Sequence, residues 1–133
     1  MTVLLVDAAN VVGTRPDGWW RDRAGAAGRL LAGLAALRGR RLVAADRTEF
    51  VCSEVVAVLE GRARGATGPA GVRVLRAEGS GDDALAAEAL RLTGLGRELL
   101  VVTADRALRG RLPAGTAVAG PGWLRDLLDE PSA

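Results

Sequence analysis

Short runs of uninterrupted apolar residues recur along the chain, and segments of helical periodicity separate them. The runs cover residues 3–6, 55–59 and 99–102, and each has the length of a strand that is buried on both faces. Residues 23–38 repeat apolar side chains at i, i+3 and i+4 spacing, which indicates an amphipathic helix. Strands that alternate with helices form a parallel sheet covered by helices, so the pattern predicts an α/β fold.

Weaker signals complete this pattern. Further strands are predicted at 42–45, 72–76 and 116–119, further helices at 106–112, at 121–128 and from Ser80 onward, and loops at 8–22 and 61–71. Apart from the strand at 42–45, residues 41–53 give no clear pattern. A chain of 133 residues with 49% hydrophobic side chains has the size of one compact unit. We therefore predict a single domain over residues 1–133, with three α/β/α layers around a mainly parallel sheet of about five strands.

The composition excludes several kinds of catalysis. The chain contains no His and no Lys, which rules out Ser-His-Asp and Cys-His sites, imidazole-bound metals, Schiff bases and a P-loop lysine. Its 18 basic residues are all arginine, and 16 residues are acidic. Any chemistry is therefore expected to depend on carboxylates that hold hard cations, because such ions prefer oxygen ligands.

The single cysteine and the N-terminal sequence suggest a cellular location. Cys52 is the only Cys of the chain and cannot form an internal disulfide, which fits a reducing compartment. Without a His to activate it, Cys52 is interpreted as a small buried hydrophobe. We find neither a basic segment followed by an apolar stretch nor an uncharged run near the ~20 residues of a membrane span, and we expect a cytoplasmic protein.

Acidic residues follow the predicted strands at the points where they end. Asp7, Glu60 and Asp105 each come after an apolar run, and Asp82 and Asp83 lie in the first turn of a helix. If the strands are parallel, all these acids lie at the same edge of the sheet, where ligands bind in α/β folds. Clustered carboxylates repel one another unless a cation neutralises them. The pattern therefore predicts a site for Mg²⁺ or Mn²⁺, which can promote attack on a phosphodiester.

A structural interpretation applies to each acid taken alone. An Asp at a strand end often caps the next turn, and Ser80 with Asp83 has the spacing of a capping box. Asp82 lies on the face of the same helix that also carries Leu85 and Ala89 and should pack on the sheet. Asp82 is therefore the better candidate ligand, and Asp83 can serve the cap.

Arginines and tryptophans lie close to these acids in sequence. The candidate phosphate-binding arginines are Arg15, Arg62, Arg64, Arg106 and Arg109. An acidic pocket with a guanidinium rim suits a phosphodiester substrate, although each arginine alone can equally be a solvated surface charge. The pair Trp19–Trp20 either stacks on unpaired bases or packs at the edge of the core, and the sequence leaves both alternatives open.

Four segments together resemble the PIN-like nuclease domains of the NYN type, and most of all the YacP-like family. The segments are LLVDAANVVG from Leu4, VAVLEG from Val56, GDDAL from Gly81 and VVTADR from Val101. Their order and spacing cover nearly the whole chain. The resemblance implies a parallel sheet of about five strands, hydrolysis of RNA that leaves a 5′-phosphate, and an RNA substrate that is single-stranded or associated with the ribosome.

The resemblance also assigns roles to individual residues. Asp7, Asp82 and Asp105 match the acids that hold Mg²⁺ or Mn²⁺, Asn10 matches the residue that orients the first acid, and Thr103 matches the hydroxyl of the last strand. The chain departs from the family pattern in two ways. Ala8 and Ala9 stand where the family commonly has Gly and an aromatic residue, and Glu60 stands where it commonly has Asp, so Glu60 remains a candidate catalytic residue.

Three functions are consistent with this sequence. The first is a metal-dependent endoribonuclease, the second a catalytically inactive relative that binds RNA or a ribonucleoprotein through its arginines. The third is a phosphatase or nucleotide hydrolase, against which the missing Lys and the missing Gly-rich phosphate loop both argue. We expect a monomer or a homodimer in each case.

Overall fold

The structure is a computed structural model that describes residues 1–14 and 18–130, in which strands alternate with helices. The strands are β1 (Thr2–Asp7), β2 (Arg41–Val43), β3 (Glu49–Leu59), β4 (Val72–Arg76), β5 (Glu98–Val102) and β6 (Ala117–Ala119). The α-helices are α1 (Ala8–Val12), α2 (Arg23–Ala35), α3 (Gly81–Gly94), α4 (Arg106–Arg109) and α5 (Pro121–Leu128), and 3-10 turns cover Trp19–Arg21 and Gly61–Gly65. The predicted α/β class is confirmed.

The sheet is mainly parallel, as predicted. β1 lies between β3 and β5, β4 pairs with the outer side of β3, and β6 pairs with the outer side of β5, all in parallel. Val6 of β1 is in register with Ala57 and Val102, so the carboxyl ends of the three central strands lie at one level. The residues that follow these strands therefore share one edge of the sheet.

Residues 41–53 form a hairpin arm, of which the sequence pattern predicted only the first strand, at 42–45. That strand is β2, which covers Arg41–Val43 and pairs antiparallel with the first part of β3, so the described residues form six strands. The second apolar run is the end of a strand that begins at Glu49, not at residue 55. The early part of β3 is half-exposed and contains Ser53 and Glu54, so it lacked the apolar run expected of a buried strand.

Side chains of the central strands alternate between two hydrophobic cores. Leu4 and Val6 pack in the core that α1, α2 and α5 cover, whereas Val3 and Leu5 pack in the core that α3 and α4 cover. All four side chains are fully buried, and each such burial contributes about 1.5–3 kcal/mol. The helices therefore cover both faces of the sheet, which confirms the three layers.

The helical predictions were correct for long elements and wrong for a short one. The helix predicted at 23–38 ends at Ala35, and α3 buries Leu85, Ala89 and Leu92 as its spacing predicts. Residues 8–22 were predicted as a loop, but 8–12 form α1 directly after β1. A helix of five residues is shorter than two turns and shows no periodicity.

Two further properties follow from burial and helix length. Cys52 is fully buried in the core, and burial raises the pKa of its thiol to about 11. The thiol is therefore protonated at neutral pH and unreactive, as predicted for a small buried hydrophobe. Within the described residues, no helix combines the length and hydrophobicity that a bilayer crossing requires.

Candidate active site

The strand-end residues point to the α3 side of the sheet because of the alternation along each strand. Asp7, Glu60 and Thr103 each lie two residues beyond a side chain of the core under α3, in the order Leu5, Val58 and Val101. Successive side chains of a strand alternate in direction, so all three residues face the layer in which α3 begins. The spacing of two residues can be read from the sequence, and it places all three side chains on one face of the sheet.

Asp7 lies at the centre of the candidate site and is only 8% exposed. The Thr103 hydroxyl donates a hydrogen bond to its Oδ2 over 3.1 Å, and the Asn10 backbone N–H donates to its Oδ1 over 3.4 Å. Burial raises the pKa of Asp7 and outweighs these hydrogen bonds, and the charges of Asp82 and Glu60 raise it further. A buried carboxylate without a cationic partner gains stability from a bound cation.

Asn10 and Thr103 hold this edge of the sheet together. The Asn10 Oδ1 accepts a hydrogen bond of 2.8 Å from the backbone N–H of Ala104, which links α1 to the segment after β5. The Thr103 hydroxyl, besides donating to Asp7, accepts from the backbone N–H of Asp105 over 3.1 Å. The Thr103 hydroxyl therefore contacts Asp7 and the backbone of Asp105, whereas the Asn10 side chain contacts the backbone of Ala104 and only its backbone N–H contacts Asp7.

Asp105 begins α4 and is close to α3. Its Oδ1 caps the helix by accepting a 3.1 Å hydrogen bond from the backbone N–H of Leu108. The structural interpretation of a strand-end Asp as a cap thus applies to one of its oxygens. Asp105 also raises the pKa of Asp82 through its charge, so the two carboxyl groups are neighbours.

The two acids in the first turn of α3 have different environments. Ser80 is the N-cap and accepts hydrogen bonds from the backbone N–H groups of Asp82 and Asp83. Asp83 is 71% exposed and forms an ion pair of 2.8 Å with Arg111. Burial raises the pKa of Asp82, and the charges of Asp105 and Glu60 raise it further, whereas Arg111 lowers it. Asp82 therefore belongs to the acid group and Asp83 to the surface.

Glu60 joins β3 to the start of α3. Its Oε2 accepts a hydrogen bond of 2.8 Å from the backbone N–H of Gly81, the first residue of that helix. A Cβ atom at Gly81 would lie 2.9 Å from the Glu60 carboxyl carbon, so a larger residue there would displace the Glu60 carboxylate from its present position. Sequence reasoning did not identify Gly81, because the contact joins residues that are distant in the chain.

These acids surround one open depression of about 310 Å³, which we call the acidic depression. It is lined by Asp7, Ala9, Asn10, Glu60, Ser80, Asp82 and Asp105. No arginine forms an ion pair with any of its four carboxylates within the described residues. Their oxygens suit Mg²⁺ or Mn²⁺. However, no three Asp, Glu, Cys or His side chains of the described chain are assembled at metal-binding geometry.

The five candidate arginines differ in their contacts. Arg62 and Arg106 are exposed. Arg64 donates to the carbonyl oxygens of Gly61 and Ala77, and Arg109 donates to that of Thr103. These two arginines therefore stabilise backbone segments beside the acidic depression. Arg15 lies outside the described residues.

The two adjacent tryptophans have different environments. Trp19 is half-buried against α1, and Trp20 is 54% exposed. Their rings form an edge-to-face pair with centroids 6.0 Å apart, and the guanidinium groups of Arg23 and Arg21 lie over Trp19 and Trp20 at 5.5 and 5.9 Å. The core-edge interpretation therefore fits Trp19 better than Trp20.

Comparison with known proteins identifies the fold. The fold is similar to the crystal structure of Rae1 (YacP) from Bacillus subtilis, determined for a single-residue mutant, with a TM-score of 0.71 and 18% sequence identity. The match covers 97% of this chain and 76% of that chain. No protein-family model and no curated protein sequence matches this chain significantly. The structural similarity establishes a YacP-like fold, and the PIN-like, NYN-type nuclease assignment remains a prediction.

Proposed function

We propose that this protein is a divalent-metal-dependent endoribonuclease that hydrolyses RNA at the acidic depression. The observation that carries the proposal is the convergence of four carboxylates at the carboxyl edge of a YacP-like sheet, none of which pairs with an arginine of residues 1–14 or 18–130. Such a group is costly for a fold to maintain, because mutual repulsion and burial both disfavour the charged state. Its presence is explained by a cation and an anionic substrate that bind there.

Asp7, Asp82 and Asp105 are the residues that would hold Mg²⁺ or Mn²⁺. When bound, such an ion lowers the pKa of a coordinated water and neutralises charge on the scissile phosphate. Mg²⁺ is commonly held by one or two carboxylates and retained waters. Because no three side chains are assembled at metal-binding geometry within the described residues, the proposal requires one or two of these acids to hold the ion directly and retained waters to complete its coordination.

The neighbouring side chains keep the acids in place. Thr103 and the Asn10 backbone fix both oxygens of Asp7, and Glu60 fixes the start of α3 and hence Asp82. Rigid placement of catalytic groups avoids reorganisation during the reaction. Thr103, Asn10 and Glu60 are therefore positioning residues in this proposal.

The proposed substrate is single-stranded RNA, free or associated with the ribosome, as the family resemblance implies. The exposed side chains of Arg62 and Arg106 follow Glu60 and Asp105 in the chain and suit contacts with flanking phosphates. Arg64 and Arg109 would contribute positive charge near the backbone segments that they bind, and Arg15 is a further candidate from sequence.

Cleavage of a labelled single-stranded RNA in Mn²⁺ tests the proposal. We expect endonucleolytic products with 5′-phosphates, complete loss of cleavage in EDTA, and loss in Asp7→Asn. The matched control is Asp46→Asn, which changes an exposed acid in a turn that its carboxylate helps to form and should retain wild-type activity. Cleavage that survives EDTA or Asp7→Asn would overturn the assignment.

The second candidate is a catalytically inactive protein that binds RNA or a ribonucleoprotein. The observation that favours it is the lack of three side chains in metal-binding geometry within the described chain. It predicts salt-sensitive RNA binding without turnover. Calorimetric titration with Mn²⁺ separates the two candidates, because only the nuclease requires saturable binding that Asp82→Asn and Asp105→Asn weaken.

A further inference from the structure

A slot of about 270 Å³ opens beside the acidic depression. Ala8, Ala9, Val12, Ala27 and Ala63 form its apolar walls, and the other described residues that line it are Trp19, Arg23, Glu60 and Gly61. Ala9 and Glu60 line both the slot and the acidic depression. The slot and the acidic depression therefore adjoin at these two residues, and a ligand longer than one nucleotide has the reach to contact both.

Trp19 lines this slot and is half-buried. The indole lies beside the end of α1, where a Cβ atom added at Gly13 would be 4.0 Å from its Cζ2, an ordinary van der Waals distance. Trp20 contacts Trp19 edge to face, at an interplanar angle of 87°, and the Arg23 guanidinium lies 5.5 Å from the Trp19 centroid. Arg23 also lines the slot, so the slot contains an aromatic ring and a planar cation.

The chemistry of the slot selects its occupant. Aromatic rings and guanidinium planes stack on unpaired bases, and small apolar walls leave room for a flat ring. A volume just below the about 300–1,000 Å³ of common ligand sites limits the occupant to a small group. A base within a duplex is already stacked and paired, so it cannot enter.

We propose that the slot binds one unpaired nucleobase of an RNA strand whose phosphate lies over the acidic depression. This inference rests on the proposed function and adds to it a base-binding subsite. The subsite explains why the enzyme would act on single strands, and it assigns different roles to two adjacent tryptophans. Trp19 contacts the base, whereas the exposed Trp20 supports Trp19 from outside the slot.

Binding without turnover tests the subsite. The probe is a fluorescent single-stranded RNA of about 8 nucleotides, titrated by anisotropy in EDTA at low salt, where phosphate contacts are strong. We expect Trp19→Ala to weaken binding about 10-fold, which is the effect of losing one base stack. Trp20→Ala, the matched control, should change affinity less than about 2-fold.

Abasic substitution identifies the base. When each nucleotide of the probe is made abasic in turn, one position should cost the wild-type protein about 10-fold in affinity and cost Trp19→Ala nothing further. Trp19→Phe should retain most of the binding and Trp19→Leu should not, although both fill the space between α1 and the 3-10 turn. The Arg23→Gln variant should weaken binding more than Arg21→Gln does.

Several results would overturn the subsite. One is an equal loss of RNA affinity in Trp19→Ala and Trp20→Ala, and another is equal RNA affinity of Trp19→Leu and Trp19→Phe. The others are the lack of any abasic position whose effect depends on Trp19, and the lack of binding to single-stranded RNA. Thermal unfolding of each variant identifies any that fail to fold, and the comparison of Trp19→Phe with Trp19→Leu then decides.

The proposed function can fail independently of the subsite. Position-specific base binding without Mn²⁺-dependent cleavage preserves the subsite alone, and cleavage that ignores abasic positions preserves the nuclease alone.

Discussion

Two groups of acids lie on the α3 side of the sheet. Within the described residues, arginines pair with the acids of one group and not with those of the other. One is the acidic depression. The other, which we call the ion network, consists of Glu54 and Glu88 with Arg73, Arg91 and Arg97. Arg73 bridges both glutamates at 3.1 and 3.0 Å, Arg97 pairs with Glu54 at 3.1 Å, and Arg91 pairs with Glu88. Burial alone would raise the pKa of Glu54 and of Glu88, but these arginines lower both.

The same elements contribute to both groups. β3 carries Glu54 into the ion network and is followed by Glu60 in the acidic depression, and α3 contributes Asp82 to one and Glu88 to the other. An acid beside a buried strand is therefore not by itself a functional signal. The distinguishing property is whether an arginine pairs with it, because paired acids stabilise the fold and unpaired acids remain available to a ligand.

The largest expected effect is on cleavage by Asp82→Asn. Under the proposed function this change should lower the rate about 100-fold or more, because loss of a proposed metal ligand should exceed the 10–100-fold cost of losing its supporting partners. Asp83→Asn changes the adjacent acid, which Arg111 pairs, and should change the rate less than about 3-fold. Initial rates on a single-stranded RNA in Mn²⁺ provide the measurement. A large loss of activity in Glu54→Gln would contradict the distinction between the two groups.

The second effect is on stability and concerns the ion network. Glu88 is 7% exposed and accepts hydrogen bonds from Arg73 and Arg91, so Glu88→Gln should lower the free energy of unfolding by about 1–3 kcal/mol. Urea unfolding at neutral pH measures this loss. The exposed Glu78 provides the control, since Glu78→Gln should be nearly neutral. If Asp82→Asn were as destabilising as Glu88→Gln, the acidic depression would be a second structural network.

The third effect concerns the hydrogen bonds that the neutral Thr103 hydroxyl makes in the acidic depression. Thr103→Val keeps the shape of a fully buried side chain but removes the donor to Asp7 and the acceptor for the Asp105 backbone N–H. We expect cleavage about 10-fold slower, in the range that hydrogen-bond partners of metal ligands contribute. Thr103→Ser should retain most of the rate. Because Thr103 lowers the pKa of Asp7, the acidic limb of the pH–rate profile should move to higher pH in Thr103→Val.

The sequence was most informative where one property repeated over many residues. The apolar runs of β1 and β5 and the spacing of Leu85, Ala89 and Leu92 predicted the sheet and α3, since burial of a whole element leaves a pattern. The site residues after the strands could be grouped for the same reason, because parallel topology determines where strand ends meet.

What the sequence could not predict depends on contacts between distant residues. The hairpin arm of β3 was missed because its exposed half is polar, and α1 was missed because it is too short for periodicity. The hydrogen bond between Glu60 and Gly81 and the bridges of Arg73 leave no local signal. The different exposure of Trp19 and Trp20 depends on packing beside α1, which the sequence alone does not reveal.

The smallest expected effect is the pH dependence of stability, in which the two groups should have opposite signs. The pKa of Asp82 is raised from 3.8 in the folded state, so the folded protein binds this proton more tightly than the unfolded chain does. The folded protein therefore loses stability as pH rises from the unfolded pKa through the folded pKa. The pKa of Glu88 is lowered from 4.5, so its stabilisation is complete above the unfolded value and is lost as pH falls through the folded value.

Urea unfolding of both variants and of wild type between about pH 3 and pH 7 measures these signs. As pH rises, Asp82→Asn should gain stability relative to wild type, by less than about 1 kcal/mol for a partly exposed acid. Glu88→Gln should lose stability relative to wild type over the same range. Salt screens exposed charges more than buried ones, and at 0.5 M salt the Debye length is only about 4 Å. Such salt should therefore reduce the difference between Asp82→Asn and wild type more than the difference between Glu88→Gln and wild type. If the free energies of unfolding of both variants diverged from wild type in the same direction with pH, both groups would stabilise the fold. The electrostatic argument that the acidic depression binds a ligand would then fail.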